Sequence, residues 1–215
     1  MKNQPLIKIL LSGLLALLVF VMVMTVIQNR GVSIPQANIT LRPLGTWTDD
    51  IALKGDDLPQ GWRGGGLSWY DLNGTQSRLF WFENPAARSQ LSVVLSEIFA
   101  VYSTTLFAQQ SYPGVLDVLF PPAYADEWKT IDELKIPHHA DELKTACLQD
   151  SMNDNPFLSC RTIARYQNVI VVINGNVFED KWLTRAGFRA LLEAADRRIT
   201  DVLSHSISSP ATSVQ

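Results

Sequence analysis

An uninterrupted apolar stretch near the start of the chain constrains this protein more than any other feature. Residues 9–27 carry no charged side chain and contain only Ser12 and Thr25 as polar residues. A helix of that length would be roughly 28 Å long, close to the ~30 Å hydrocarbon core of a bilayer. Lys8 and Arg30 flank the stretch and can extend to the headgroups on either side. The pattern therefore predicts a single transmembrane helix over residues 9–27.

A cleaved signal peptide is the alternative interpretation of this stretch. Signal peptides have apolar regions of about 7–15 residues and end at a cleavage site with small residues. The stretch here is longer, and residues 23–29 contain no such site. We therefore expect a retained anchor, preceded by a short cytoplasmic N-terminus over residues 1–8. A spacer over 28–45, a folded domain over 46–205 and a disordered polar tail over 206–215 would follow it.

The two cysteines of the chain, Cys147 and Cys160, indicate where the folded domain lies. A single intrachain disulfide is typical of an oxidising compartment. Two buried free thiols in a cytoplasmic domain are the alternative. Positive charge before the apolar stretch also favours a cytoplasmic N-terminus. We predict a Cys147–Cys160 disulfide and an extracytoplasmic domain on a single-pass membrane protein.

The distribution of charge argues against nucleic-acid binding. The first 30 residues hold three basic and no acidic side chains, so the remaining 15 basic and 21 acidic residues carry a formal net charge of −6. Binding to phosphates needs a basic face. The arginines near the end of the chain alternate with Glu193, Asp196 and Asp201, which predicts a solvated helix face.

A β-hairpin is predicted around Asn73-Gly74. Aromatic-rich runs at residues 67–72 and 78–82 lie on either side of this dipeptide. Asn-Gly between two such runs is a strong hairpin signal.

A second hairpin is predicted from residues 143–149 and 157–165, joined by a segment rich in turn-forming residues. Cys147 and Cys160 lie symmetrically about that turn and would face each other across the hairpin. The apolar run at 169–173 predicts a third, central strand.

Two helices complete the expected fold. The first is predicted from Pro85 to about residue 110 because Asn84-Pro85 resembles a helix start and apolar residues follow at helical spacing. The second begins after Thr184 and has a continuous apolar stripe, made of Phe188, Leu191, Leu192, Ala195, Ile199, Val202 and Leu203. We predict an α+β domain in which both helices pack on one face of an antiparallel sheet.

The sequence contains no complete motif for catalysis, metal binding or phosphate binding. His138 and His139 lie among acidic residues, but they lack a recognised metal-binding spacing, and a solvated acidic loop is the alternative. The glycine-rich segment 61–66 lacks the Lys-Ser/Thr pair of a phosphate loop. Of the six tryptophans, we expect one or two to be partly exposed. We predict no catalytic residue, no metal and no cofactor.

Three segments of the chain resemble a known class of domains: DDLPQGW at residues 56–62, RYQNVIVVI at 165–173 and FRALLEAADRRI at 188–199. Together with the cysteine hairpin, they resemble extracytoplasmic α/β domains of bacterial lipoproteins and membrane-anchored proteins, some of them sensor-like. The resemblance covers about residues 56–203 and implies a small antiparallel α+β domain that binds rather than catalyses. This chain departs from the lipoproteins because it has no cysteine near its start to carry a lipid.

The sequence thus favours a non-enzymatic accessory or interaction protein held at the membrane surface. Its expected partners are the lipid bilayer and, within a larger complex, other membrane-protein subunits. The alternative is an extracytoplasmic ligand-binding or sensory domain, which would need a defined pocket between sheet and helices. A third hypothesis is a hydrolase with a non-standard site, which would need a carboxylate of strongly shifted pKa in a cleft.

Overall fold

The computed structural model describes residues 50–72, 75–87, 94–152 and 155–207. The predicted N-terminus at 1–8, the anchor at 9–27 with its flanking residues Lys8 and Arg30, and the spacer at 28–45 lie outside the described residues. Residues 208–215 of the predicted tail lie outside them too, whereas residues 206 and 207 belong to the last helix, so the predicted start of the tail at 206 is wrong. Within the described part, no helix is long and apolar enough to span a membrane.

A six-stranded antiparallel sheet and two α-helices form the domain, which confirms the α+β class. The sheet has the spatial order β1-β2-β3-β6-β5-β4. Its strands are β1 (Arg63–Leu72), β2 (Thr75–Glu83), β3 (Leu95–Val101), β4 (Glu142–Met152), β5 (Asn155–Tyr166) and β6 (Val169–Val177). The helices are α1 (Thr105–Leu119) and α2 (Arg185–Ile207).

Both predicted hairpins are confirmed. Strands β1 and β2 pair antiparallel in a register that brings Leu72 opposite Thr75, on either side of the predicted turn. Strands β4 and β5 pair with Cys147 opposite Cys160. Strand β6 lies between β3 and β5 and is therefore central, as its apolar run predicts.

The helix predicted from Pro85 to about residue 110 is wrong. Residues 85–87 form a short 3₁₀ turn, Leu95–Val101 forms β3, and α1 begins only at Thr105. Burial along β3 alternates residue by residue, as expected of a strand. The apolar residues of 95–101 fit the 3.6-residue period of a helix as well as the two-residue period of a strand. Pairing with β2 and β6 stabilises the strand.

The prediction that both helices pack on one face is also wrong. Helix α2 and the β6 residues Val169, Val171 and Ile173 contribute to one core cluster. Helix α1 packs with Ile170 and Val172 in a second cluster. Alternate residues of β6 point to opposite faces, so the helices lie on opposite sides of the sheet. The run at 169–173 of this central strand is apolar at every position, so both faces of the sheet need a cover there.

Helix α2 begins where the sequence predicts. The Thr184 side-chain oxygen accepts a hydrogen bond from the Gly187 N–H at 3.1 Å, as an N-cap does. Five residues of the predicted stripe are buried against the sheet: Phe188, Leu191, Leu192, Ala195 and Ile199.

Candidate functional site

Residues 51–58, which we call the N-terminal strap, lie across the α2 face of the sheet. Four strap side chains are buried in the core, those of Ile51, Ala52, Leu53 and Leu58. Within the strap, the Lys54 N–H donates a hydrogen bond to Asp57 Oδ2 at 2.8 Å. The strap therefore covers part of the core and belongs to the fold.

A glutamate lies beneath the strap on the central part of the sheet. Glu97 of β3 is fully buried between Phe80 of β2 and Ile173 of β6 in the sheet register. Its Oε2 accepts the Leu53 N–H at 2.9 Å. Its Oε1 has no hydrogen-bond partner among the described residues. A buried carboxyl with one unused oxygen favours the neutral, protonated form.

Burial raises the pKa of Glu97 from 4.5 to about 8. The Leu53 N–H lowers this pKa, because the hydrogen bond stabilises the carboxylate. Asp57 raises it and Arg198 lowers it, each through its charge. Glu97 is therefore mostly protonated at neutral pH.

An ion pair links the strap to α2. The Arg198 Nε donates a hydrogen bond to Asp57 Oδ2. The exposed fractions of the two side chains are 27% for Arg198 and 15% for Asp57, so the pair is partly shielded from water. The Arg198 guanidinium thus pairs with Asp57 of the strap, and its charge also lowers the pKa of Glu97.

A second buried carboxylate, Asp196, lies one turn of α2 away from the stripe residue Ile199. Its Oδ1 accepts the Tyr166 O–H and the His139 N–H, each at 2.9 Å. Its Oδ2 lies 2.7 Å from His139 Nδ1. Asp196 thus holds the loop around His139 against α2, and the prediction that it belongs to a solvated helix face is wrong.

The Tyr166 hydroxyl connects these groups electrostatically. Burial raises its pKa, and the charges of Asp196 and Glu97 raise it further. The Tyr166 hydroxyl therefore keeps its proton near neutral pH and donates a hydrogen bond to Asp196. The α2 face of the core carries two acids, Glu97 and Asp196, that are buried among apolar side chains.

The two adjacent histidines have different partners. His138 Nδ1 lies 3.2 Å from the Ala140 carbonyl oxygen, whereas His139 contacts Asp196. Among the described residues, no group of three or more histidine, cysteine or acidic side chains is arranged to hold a metal ion.

A small cavity lies between α2 and the sheet, near this cluster. Its volume is about 10 Å³, which is room for roughly one water molecule. Apolar side chains such as Ile136, Leu192 and Ile199 line most of it, with Thr162 and Tyr166 as polar members. Pockets for organic ligands measure roughly 300–1,000 Å³, so this cavity is far too small for one.

The predicted disulfide between Cys147 and Cys160 is confirmed. Both cysteines are buried on the α2 face of the sheet, with Gly175 of β6 opposite Cys160. A Cβ atom at Gly175 would lie 2.8 Å from the ring of Phe188, so α2 packs closely over this glycine.

The opposite face of the sheet has a large exposed aromatic side chain, Trp81 of β2, which is 41% exposed. Its neighbours in register are small, Gly66 on β1 and Ser96 on β3. The cluster beneath α1 draws on β3, β4, β5 and β6 but includes no described residue of β2. The half-buried Leu79 lies two residues before Trp81 on this face.

The burial of Glu97 and Asp196 is not predicted by the sequence. Reading residues 95–101 as a strand would have placed Glu97 on the same face as Leu95, Phe99 and Val101, where a charge is unexpected. Asp196 has no such signal, because arginines surround it in sequence.

Comparison with protein-family models, with curated proteins and with solved structures found no match. The resemblance to extracytoplasmic domains of lipoproteins and membrane-anchored proteins stays a prediction.

Proposed function

We propose that this protein is a non-enzymatic accessory protein, anchored in a membrane by residues 9–27, whose extracytoplasmic domain binds another protein. Its partner would be another membrane-protein subunit reached from the same bilayer. The disulfide between Cys147 and Cys160 supports an oxidising compartment for the domain.

The surface around Trp81 is the observation that carries this proposal. Tryptophan is enriched at protein interfaces and among the residues that contribute most to binding. Trp81 lies between Gly66 and Ser96 in the sheet register, and its side chain is exposed. The half-buried Leu79 extends the apolar surface along β2.

Site-specific photo-crosslinking in native membranes tests the proposal. A photoreactive phenylalanine analogue would replace Trp81 in one variant and Tyr124, which is 55% exposed in a short 3₁₀ helix after α1, in a matched control. We expect one dominant membrane-protein adduct from position 81 and none from position 124. Equal labelling from both positions, or none from position 81, would contradict a partner surface at Trp81.

The alternative function is an extracytoplasmic sensory domain. The buried carboxyl of Glu97, directly hydrogen-bonded to the strap, favours this alternative. The small cavity under α2 favours a response to protons over the binding of an organic ligand.

A further inference from the structure

The strap covers Glu97 and is held to the rest of the domain by two polar contacts of the described residues. Leu53 holds it through the hydrogen bond to Glu97, and Asp57 holds it through the ion pair with Arg198. The other cover of this face, α2, packs a long apolar stripe onto the sheet. Local opening that brings water to Glu97 therefore involves the strap before it involves α2.

Glu97 lies among apolar side chains but is within electrostatic reach of one acidic and one basic group, Asp57 and Arg198. Its neighbours on β6, Val171 and Ile173, are apolar. Among the residues whose side chains are described, the titratable or charged groups near this face of the core include Asp57 in the strap, Arg78 on β2, Tyr166 on β5, Asp196 and Arg198 on α2, and His139 against Asp196. Of these, Asp57 and Arg198 act directly on Glu97, and they are also the two partners of the ion pair that holds the strap.

We propose that the strap is a proton-controlled latch, docked while Glu97 is protonated and released as Glu97 loses its proton. In the docked state the neutral carboxyl accepts the Leu53 N–H and needs no counter-charge. A carboxylate in the same place would have one N–H donor, would repel Asp57 and would compete with Asp57 for Arg198. Release of the strap lets water solvate the carboxylate and removes all three penalties.

Release of the strap changes the length of chain between the domain and the apolar stretch at 9–27. The strap is the first described part of the domain, and the chain before it leads towards the apolar stretch at 9–27. Release would lengthen the connection between the domain and that stretch by residues 51–58. The inference concerns the folded domain alone and does not depend on the proposed partner surface at Trp81.

Hydrogen exchange of the full chain in mild detergent, measured from pH 6 to pH 9, tests the latch. The opening constant of the Leu53 amide is obtained by correcting its exchange rate for the intrinsic rate at each pH. Opening restores the ordinary pKa of Glu97, so we expect this constant to rise about tenfold per pH unit up to pH ~7.5 and to level off above pH ~8. Glu97→Gln should give a flat profile, and Glu179→Gln, at an exposed loop position, should behave as the wild type.

The Val171 amide of β6 separates strap release from unfolding of the whole domain. We expect Leu53 to exchange with a larger opening constant than Val171 at every pH. Equal opening constants for the two amides, or a Leu53 profile that is the same in the wild type and in Glu97→Gln, would overturn the latch.

A wild-type measurement keeps the proposal testable if Glu97→Gln does not fold. Carbon-13 NMR of the Glu97 carboxyl and the amide shift of Leu53 should titrate together with one midpoint. A Glu97 carboxyl that titrates while the Leu53 amide stays protected would overturn the latch. Neither result bears on crosslinking from position 81, so failure of the latch and failure of the proposed function are distinguishable.

Discussion

At the scale of single residues, the most unusual feature is Glu97, a fully buried acid opposite Phe80 in the sheet. Its hydrogen bond to Leu53 satisfies one oxygen only. Asp196, by contrast, has partners at both oxygens: Oδ1 accepts hydrogen bonds from the Tyr166 O–H and the His139 N–H, and Oδ2 contacts His139 Nδ1. The two buried acids therefore have different roles. Asp196 connects α2 to β5 and to the loop at His139, whereas Glu97 makes the free energy of unfolding depend on pH.

This difference predicts how stability varies with pH. The pKa of Glu97 is about 8 in the folded protein and 4.5 ordinarily, so the folded state binds more protons between these values. Its contribution to the free energy of unfolding is complete below pH ~4.5 and is lost as pH rises towards pH ~8, with a slope of at most roughly 1.4 kcal/mol per pH unit. Urea denaturation from pH 5 to pH 9 measures it.

Glu97→Gln should remove this component and be more stable than the wild type at pH 8, since glutamine carries no charge to bury. Glu179→Gln is the matched control and should keep the wild-type slope. A wild-type stability that rises between pH 5 and pH 8 in parallel with that of Glu97→Gln would contradict the assignment.

At the scale of elements, the contact between β6 and α2 sets the tightest steric condition. Gly175 lies beneath Phe188 and Leu183, and an added Cβ would lie 2.8 Å from the first and 3.0 Å from the second. Gly114 in α1 has no atom within 4 Å of such a Cβ. Replacing each glycine by alanine therefore separates two effects: the packing of α2 at Gly175 and helix propensity at Gly114.

Gly175→Ala should destabilise the domain by about 1–3 kcal/mol because α2 must move away from the sheet. Gly114→Ala should stabilise it by up to about 1 kcal/mol because alanine favours the helix interior. Chemical denaturation of both variants at one pH gives the two values. A Gly175→Ala variant as stable as the wild type would show that α2 does not pack as closely as the structure indicates.

At the scale of the whole molecule, the disulfide between Cys147 and Cys160 joins the β4–β5 hairpin inside the core. It supports the proposal that the domain lies outside the cytoplasm, on the far side of an anchor at residues 9–27. The sheet separates two hydrophobic cores, one beneath α1 and one beneath α2. The strap packs on the core beneath α2.

Replacing both cysteines by alanine should lower the free energy of unfolding by about 3 kcal/mol, as expected for a closed loop of this length. In intact cells, the wild-type thiols should react with an alkylating reagent only after reduction and denaturation. Full alkylation without reduction would place the domain in a reducing compartment and contradict the proposed location.

The sequence by itself determined the features that depend on neighbouring residues. The two hairpins follow from their turn residues and flanking runs, the start of α2 follows from the Thr184 cap, and the disulfide follows from cysteines placed symmetrically about a turn. Only the tertiary structure decided that residues 95–101 are a strand, that the helices lie on opposite faces and that Glu97 is buried. Each of these depends on partners distant in sequence: β2 and β6 supply the hydrogen bonds of β3, and the strap supplies the cover and the N–H that keep Glu97 out of water.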